Sequence, residues 1–177
     1  MKEFLPYKNI PVNQEEYNPG NIIARFIDGL GYRYYWATEG LTTKDLDYKP
    51  SEESRSTRQT LDHIFDLSLV IVSVANNEPF KRLFQPSAMP FSELRERTLT
   101  NFKKASEAFA NKSEEEISQL RVIFASNEQR SKYPVWNLIN GQISDALYHT
   151  GQLVSFRRTS GNPMNPNVNV FLGITPD

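Results

Sequence analysis

Apolar residues recur at spacings of three and four along four stretches of this chain, and prolines separate the stretches. That spacing places apolar side chains on one face of a helix, and proline breaks a helix interior. The pattern predicts helices at about residues 18–38, 57–76, 90–111 and 134–160. Four helices of this length predict an all-α fold, a four-helix bundle, with residues 1–177 as one domain.

The ends of the first and last helices carry clear signals. Asn18 followed by Pro19 is typical of a helix N-terminus, and Gly161 is a candidate left-handed cap at the end of the last helix. Arg157 and Arg158 lie in the last turn before it, where they are expected to interact with the helix dipole and with carbonyl groups.

Residues 113–133 interrupt the helical pattern. Ser113 and the three glutamates after it favour a short helix, because acidic side chains stabilise a helix N-terminus. Leu120–Phe124 has the character of a strand, and the polar residues 127–132 favour a turn. We therefore expect a short irregular or extended excursion between helices three and four.

Composition and charge narrow the classes of function. The formal charge of −1 provides no long-range field for nucleic acid or an anionic membrane. The absence of cysteine excludes disulfides, thiolate metal sites and cysteine nucleophiles. Neither a signal peptide at the start nor an apolar run long enough to cross a bilayer is found in the sequence. These features predict a cytoplasmic protein.

The two histidines of the chain, His63 and His149, both lie within apolar helical patterns, and Asp145 precedes His149 by four residues. Asp145 and His149 therefore share a helix face. Buried polar groups destabilise a protein unless they are satisfied, and a metal ion held between two helices would satisfy all three side chains. Two alternatives remain open: a hydrogen-bonded core histidine, and Asp145 orienting an imidazole instead of binding the metal.

Four other side chains are candidates for lining the pocket or for contacting the metal ligands. Gln142 and Gln152 lie on the same face of the last helix as Asp145 and His149, and Gln59 lies one turn before His63. Trp36 is a candidate for a pocket wall, although aromatic residues in this position are also typical of a core.

The segment Asp145-Ala-Leu-Tyr-His149-Thr-Gly-Gln152, with its continuation to Pro163, resembles the last helix of the DinB-like (YfiT-like) superfamily. The segment Thr60–Ile64 resembles the ligand segment of its second helix, so that the resemblance covers roughly residues 18–163. It implies a four-helix bundle that binds a divalent metal through one histidine of helix two and an HxxxH pair of helix four. Characterised members include thiol-dependent transferases, isomerases and hydrolases.

This chain departs from the family pattern at one position, because Asp145 replaces the first histidine of the pair. Two imidazoles and a carboxylate remain a competent ligand set with open positions for water or substrate. The resemblance favours zinc or nickel. Manganese and iron are also compatible, since a carboxylate is a harder ligand than an imidazole.

Two functions are compatible with these residues. The first is a metal-dependent enzyme acting on a small molecule, a transferase that uses a low-molecular-weight thiol or a hydrolase, as the resemblance implies. The second is a non-catalytic, metal-binding or ligand-binding helical bundle. The wide apolar surface of the last helix predicts a homodimer.

Overall fold

The computed structural model describes residues 5–12, 15–81, 86–125 and 130–176. In chain order the elements are α1 (Pro19–Thr38), α2 (Thr43–Asp47), α3 (Thr57–Ala75), α4 (Phe91–Phe109), α5 (Glu114–Gln119), β1 (Arg121–Ala125), β2 (Arg130–Pro134), α6 (Trp136–Leu138) and α7 (Ser144–Ser160). The chain is mostly helical, which confirms the predicted all-α class, and it also contains a small two-stranded sheet. No helix of the described residues is both long enough and apolar enough to span a membrane.

The two predicted helix ends are confirmed. The Asn18 side chain accepts a hydrogen bond of 2.8 Å from the backbone N–H of Asn21, and Pro19 is the first residue of α1. Gly161 ends α7 with a φ of 92°, in the left-handed region that glycine adopts without steric cost.

Helices α1 and α4 run in opposite directions. The backbone N–H of Gly20, at the start of α1, donates to the carbonyl of Lys112, just beyond the end of α4. At the other end of the pair, Arg95 in the first turns of α4 donates to the hydroxyl of Thr38, the last residue of α1. A Cβ on Gly20 would lie 2.3 Å from the carbonyl oxygen of Phe109, so glycine permits the close approach of the two helices.

Helices α3 and α4 run in the same direction. Arg58, in the first turn of α3, donates to the carbonyl of Met89, just before α4. Two to three turns further along both helices, Asn101 donates to the hydroxyl of Ser68. The first residues of α3 and α4 therefore lie at the same end of the molecule as the last residues of α1.

A buried arginine joins the end of α7 to the end of α1. Arg157 is 4% exposed, and its guanidinium donates to the carbonyls of Trp36 and Ala37, at 3.0 and 3.2 Å, and to the carbonyl of Asn162, at 2.7 Å. Arg157 thus satisfies carbonyl groups that the end of a helix leaves without intrahelical partners. The expected interaction with carbonyls is confirmed for Arg157, whereas Arg158 is exposed.

The long helices enclose one cluster of buried apolar side chains, including Ile27, Leu61, Phe102 and Leu153, all at 0–1% exposure. Two apolar residues of α1 do not belong to this cluster, although they share the helical spacing of the buried ones: Ile22 and Phe26 are 48% and 59% exposed. Both line a groove of about 730 Å³ between the N-terminal residues, α1 and α4.

The excursion between α4 and α7 contains more structure than predicted. The short helix α5 and the strand β1 are confirmed, but β1 pairs antiparallel with β2, which covers residues that the sequence predicted as a turn and as the start of the last helix. Pro134 ends β2 rather than opening a helix. Proline is tolerated at the end of an edge strand, where no ladder hydrogen bond is required of its nitrogen.

The last helix begins at Trp136 and is irregular. Between α6 and α7 it passes through a π-helical segment, Ile139–Ile143, which the sequence did not predict. The backbone N–H of Ser144 donates to the carbonyl of Ile139, five residues earlier, as in a π-helix, and its hydroxyl donates to the same carbonyl at 2.7 Å. The π segment leads directly into the turn that carries Asp145.

Asp45 is a buried carboxylate at the same end of the molecule as Arg157. It accepts hydrogen bonds from Thr42, with which it forms the capping box of α2, from Ser160, the last residue of α7, and from Asn162, just beyond that helix. Burial alone would raise the pKa of the Asp45 carboxyl, but these hydrogen bonds outweigh it and hold the pKa below its usual value.

We expect Asp45→Asn to lower the free energy of unfolding by about 2 kcal/mol at pH 7, because hydrogen bonds to a charged acceptor are lost. A carboxyl whose pKa is lower in the folded state stabilises the protein above its unfolded pKa, near 3.9, and loses that effect as the pH falls through the folded value. Urea unfolding should therefore show a smaller difference between wild type and variant at pH 3 than at pH 7. A difference that does not change with pH would contradict this account.

Candidate metal centre

His63, Asp145 and His149 converge between α3 and α7. The two carboxylate oxygens of Asp145 lie 3.1 Å from Nε2 of His63 and 3.3 Å from Nε2 of His149. The two imidazole rings are nearly perpendicular, with their centroids 4.7 Å apart. One ligand atom from each residue can be chosen so that all three lie within 4.8 Å of one another. A divalent cation with bonds of about 2.0–2.2 Å would fit this group after a small inward movement.

Local sequence signals determine where these side chains lie on their helices. A capping box fixes the start of α3, in which Ser56 and Gln59 exchange hydrogen bonds, and His63 follows in the second turn. On α7, the spacing of four residues puts Asp145 directly above His149.

The hydrogen bond between His149 and Gln152 fixes the tautomer of the imidazole ring. Its Nδ1 lies 2.7 Å from Oε1 of Gln152, which can only accept, so Nδ1 carries a proton. In the neutral ring, Nε2 then directs a lone pair at the Asp145 carboxylate. Two acceptors 3.3 Å apart repel unless a proton or a metal ion lies between them. The donor set therefore fits a cation, and Gln152 occupies the orienting position typical of metal-binding histidines.

The cluster is covered on one side and open on the other. The side chain of His149 is 12% exposed, whereas those of His63 and Asp145 are 29% and 43% exposed. Burial lowers the pKa of His63; the hydrogen bond with Asp145 opposes this effect, and the positive charge of Arg55 adds to it. Since a metal binds the neutral form of imidazole, the lowered pKa keeps His63 in the form that a metal requires.

Two of the other candidate residues, Gln59 and Trp36, use their polar groups in hydrogen bonds outside the His63–Asp145–His149 cluster. Gln59 uses its carboxamide oxygen in the capping box of α3, and the indole N–H of the buried Trp36 donates to the carbonyl of Lys8. Gln142 lies in the π segment before Asp145.

One side chain beside the cluster, Tyr148, was not predicted from the sequence. Tyr148 is exposed, and its ring centroid lies 5.4 Å from that of His149. Its position next to His149 in the sequence was the only available signal. That signal is weak because consecutive residues of a helix point in different directions.

The fold and the site together define the class of this protein: it is mostly helical and carries, between two helices, a His–Asp–His group that could hold a divalent metal. The sequence also identifies the family, because residues 29–171 match the family model of the DinB family. The chain belongs to the DinB family, and the resemblance that the sequence suggested is confirmed. No match was found among the curated proteins or among the solved structures.

Proposed function

We propose that this protein is a divalent-metal-dependent enzyme that acts on a small molecule. The observation that carries the proposal is the convergence of His63, Asp145 and His149 at a group that is open to solvent on one side. A structural metal site is typically closed by four protein ligands, whereas a catalytic site keeps a position for water or substrate. Three protein ligands and a partly exposed Asp145 support the catalytic alternative.

Within the site, His63 and His149 would hold the cation through Nε2, and Asp145 would supply a carboxylate oxygen. Gln152 keeps the His149 ring in the required tautomer. When bound, a divalent metal supplies Lewis acidity and lowers the pKa of a bound thiol or water. Because both histidines serve as ligands, proton transfer would depend on a carboxyl group, a phenol such as that of Tyr148, or water.

For the reaction, we propose transfer to or from a low-molecular-weight thiol, with hydrolysis as the alternative. The resemblance to characterised members of the DinB-like superfamily supports both reactions. Zinc or nickel agrees with the two imidazole ligands, and the carboxylate keeps manganese and iron compatible with the site. We also propose that the four long helices form the four-helix bundle of the DinB-like superfamily, within a single cytoplasmic domain.

Removal of the metal tests the proposed function. We expect the purified protein to contain a divalent metal, and chelation to abolish turnover in a screen of thiol conjugation and ester or amide hydrolysis. The far-ultraviolet circular dichroism of the chelated protein should remain helical, and metal addition should restore turnover. Unfolding on chelation would favour a structural metal site. A metal-free protein with unchanged activity would overturn the proposal.

The alternative function is a non-catalytic, metal-binding or ligand-binding bundle that works as a homodimer. The exposed apolar side chains of Leu147, Tyr148, Phe171 and Leu172, on α7 and the C-terminal segment, support a homodimer with either function. Sedimentation equilibrium distinguishes a dimer from a monomer, and a monomer at micromolar concentration would contradict this part of the proposal.

A further inference from the structure

The groove of about 730 Å³ between the N-terminal residues, α1 and α4 has the volume of a pocket for a small ligand. The exposed apolar side chains around it are those of Val12, Tyr17, Ile22 and Phe26. Single exposed apolar residues are ordinary, but several around one concave surface are typical of a binding site. None of the groove-lining residues that the structure describes belongs to α3 or α7, so the groove is separate from the candidate metal centre.

The N-terminal wall of the groove is fixed to the rest of the protein. The ring of Tyr7 packs on Gly31 of α1, where a Cβ would lie 2.5 Å from a ring carbon. Further along this wall, the guanidinium of Arg25 donates to the carbonyl of Pro11, at 2.9 Å. A groove whose walls are already in place loses little conformational freedom when a ligand binds. The groove is therefore formed before any ligand arrives.

Asp28 places a carboxylate at the groove and partly out of water. One of its oxygens accepts a hydrogen bond of 2.9 Å from the hydroxyl of Tyr7. Burial raises the pKa of the Asp28 carboxyl and outweighs the hydrogen bonds from Ser106 and Tyr7, which lower it. Both of these partners are neutral. A cation beside the carboxylate would compensate for the water that burial has removed.

The positive charges already present at the groove are used elsewhere. Arg25 and Lys103 line it, and neither forms an ion pair with Asp28 among the described residues. Arg25 lowers the pKa of Asp28 from a distance, but its guanidinium donates to a backbone carbonyl. The ammonium of Lys103 lies 3.8 Å from the carboxylate of Glu107. With Glu16, three carboxylates and two cations line the groove, so that its net negative charge complements a monovalent cation.

We propose that this groove binds an organic cation, a small amine whose ammonium group pairs with Asp28 and whose apolar body lies against Ile22 and Phe26. The rings of Phe26 and Tyr17 favour such a ligand, because the face of an aromatic ring attracts a cation. The inference goes beyond the proposed function and does not depend on it, since none of the three metal-group residues takes part.

The test compares two probes that differ in charge alone. Naphthylethylamine and naphthylethanol have the same ring and the same chain, but only the amine is positively charged at pH 7. In isothermal titration calorimetry, we expect the wild type to bind the amine about tenfold more tightly than the alcohol, the effect typical of a hydrogen bond to a charged group. Asp28→Asn should weaken binding of the amine about tenfold and leave that of the alcohol unchanged. The unchanged alcohol affinity would show that the groove of the variant remains intact.

Two further variants complete the experiment. Phe26→Ala removes part of the apolar wall, and it should keep the fold because Phe26 is exposed. We expect it to weaken binding of both probes several-fold, since the naphthyl ring loses its contact. Asp47→Asn makes the same change of charge as Asp28→Asn at an exposed residue of α2 that does not line the groove, and it should leave both affinities unchanged.

Each possible result supports or overturns the inference. Equal affinity of the wild type for the two probes, or an undiminished preference for the amine in Asp28→Asn, would overturn it. Binding of neither probe at millimolar concentration would overturn it as well. If the amine does not bind and Phe26→Ala abolishes a dimer in sedimentation equilibrium, the groove would instead be an interface with a second copy of the chain. None of these results bears on the metal content of the protein, which tests the proposed function separately.

Discussion

His149→Ala and His63→Ala are each expected to lower the affinity for a divalent metal by ~100-fold or more. Each substitution removes one of three protein ligands, and even a group behind a ligand typically contributes ten- to a hundredfold in affinity. Elemental analysis after dialysis and calorimetric titration measure the change. Circular dichroism should remain helical, because both side chains lie at the edge of the core and not within it.

Asp145→Asn and Asn140→Ala provide the controls for this result. If Asp145 binds the metal directly, Asp145→Asn should weaken binding nearly as much as loss of a histidine; if it only orients an imidazole, the loss should be closer to tenfold. The exposed Asn140→Ala should retain full metal content. Equal metal content in the wild type and both histidine variants would remove the basis for a metal site.

Arg157→Met is expected to lower the free energy of unfolding by about 3–4 kcal/mol. The substitution leaves the carbonyls of Trp36 and Ala37 without their donor, and it removes a positive charge that favours the buried carboxylate of Asp45. Breaking a buried polar network by removing one partner has effects of this size.

The neighbouring residue offers a matched control for Arg157. Arg158 has the same side chain on the same helical turn but is exposed, so Arg158→Met should change the unfolding free energy by less than about 0.5 kcal/mol. Urea denaturation of the two variants and the wild type at pH 7 measures the difference. Similar values for both variants would contradict the stabilising role assigned to the Arg157 network.

Local signals predicted the long helices and the three residues of the candidate metal site. Asn18, Pro19 and Gly161 act within one turn of their own positions, so their effect on helix ends can be read from neighbouring residues. The same is true of Asp145 and His149, whose alignment follows from a spacing of four. Only the meeting with His63, 82 residues away, required tertiary structure, and the family resemblance supplied it.

The features that the sequence did not predict depend on partners far away in the chain. Residues 130–134 are mostly polar and contain a proline, which is the composition of a turn. They form a strand because their backbone pairs with that of β1. The exposure of Ile22 and Phe26 depends on which neighbours pack against each edge of α1. The π segment has no signature in composition, since it inserts a residue into a helix without changing the apolar pattern.

The long sequence separation between His63 and His149 has a consequence for the life of the protein in the cell. An unfolded chain cannot bring these side chains together, so a cation bound to all three stabilises the native state alone. At a free metal concentration a hundred times the dissociation constant, this linkage adds about 2.7 kcal/mol. Metal starvation would then shorten the half-life of the protein by making it a better substrate for proteases, so that its abundance would follow the supply of the ion.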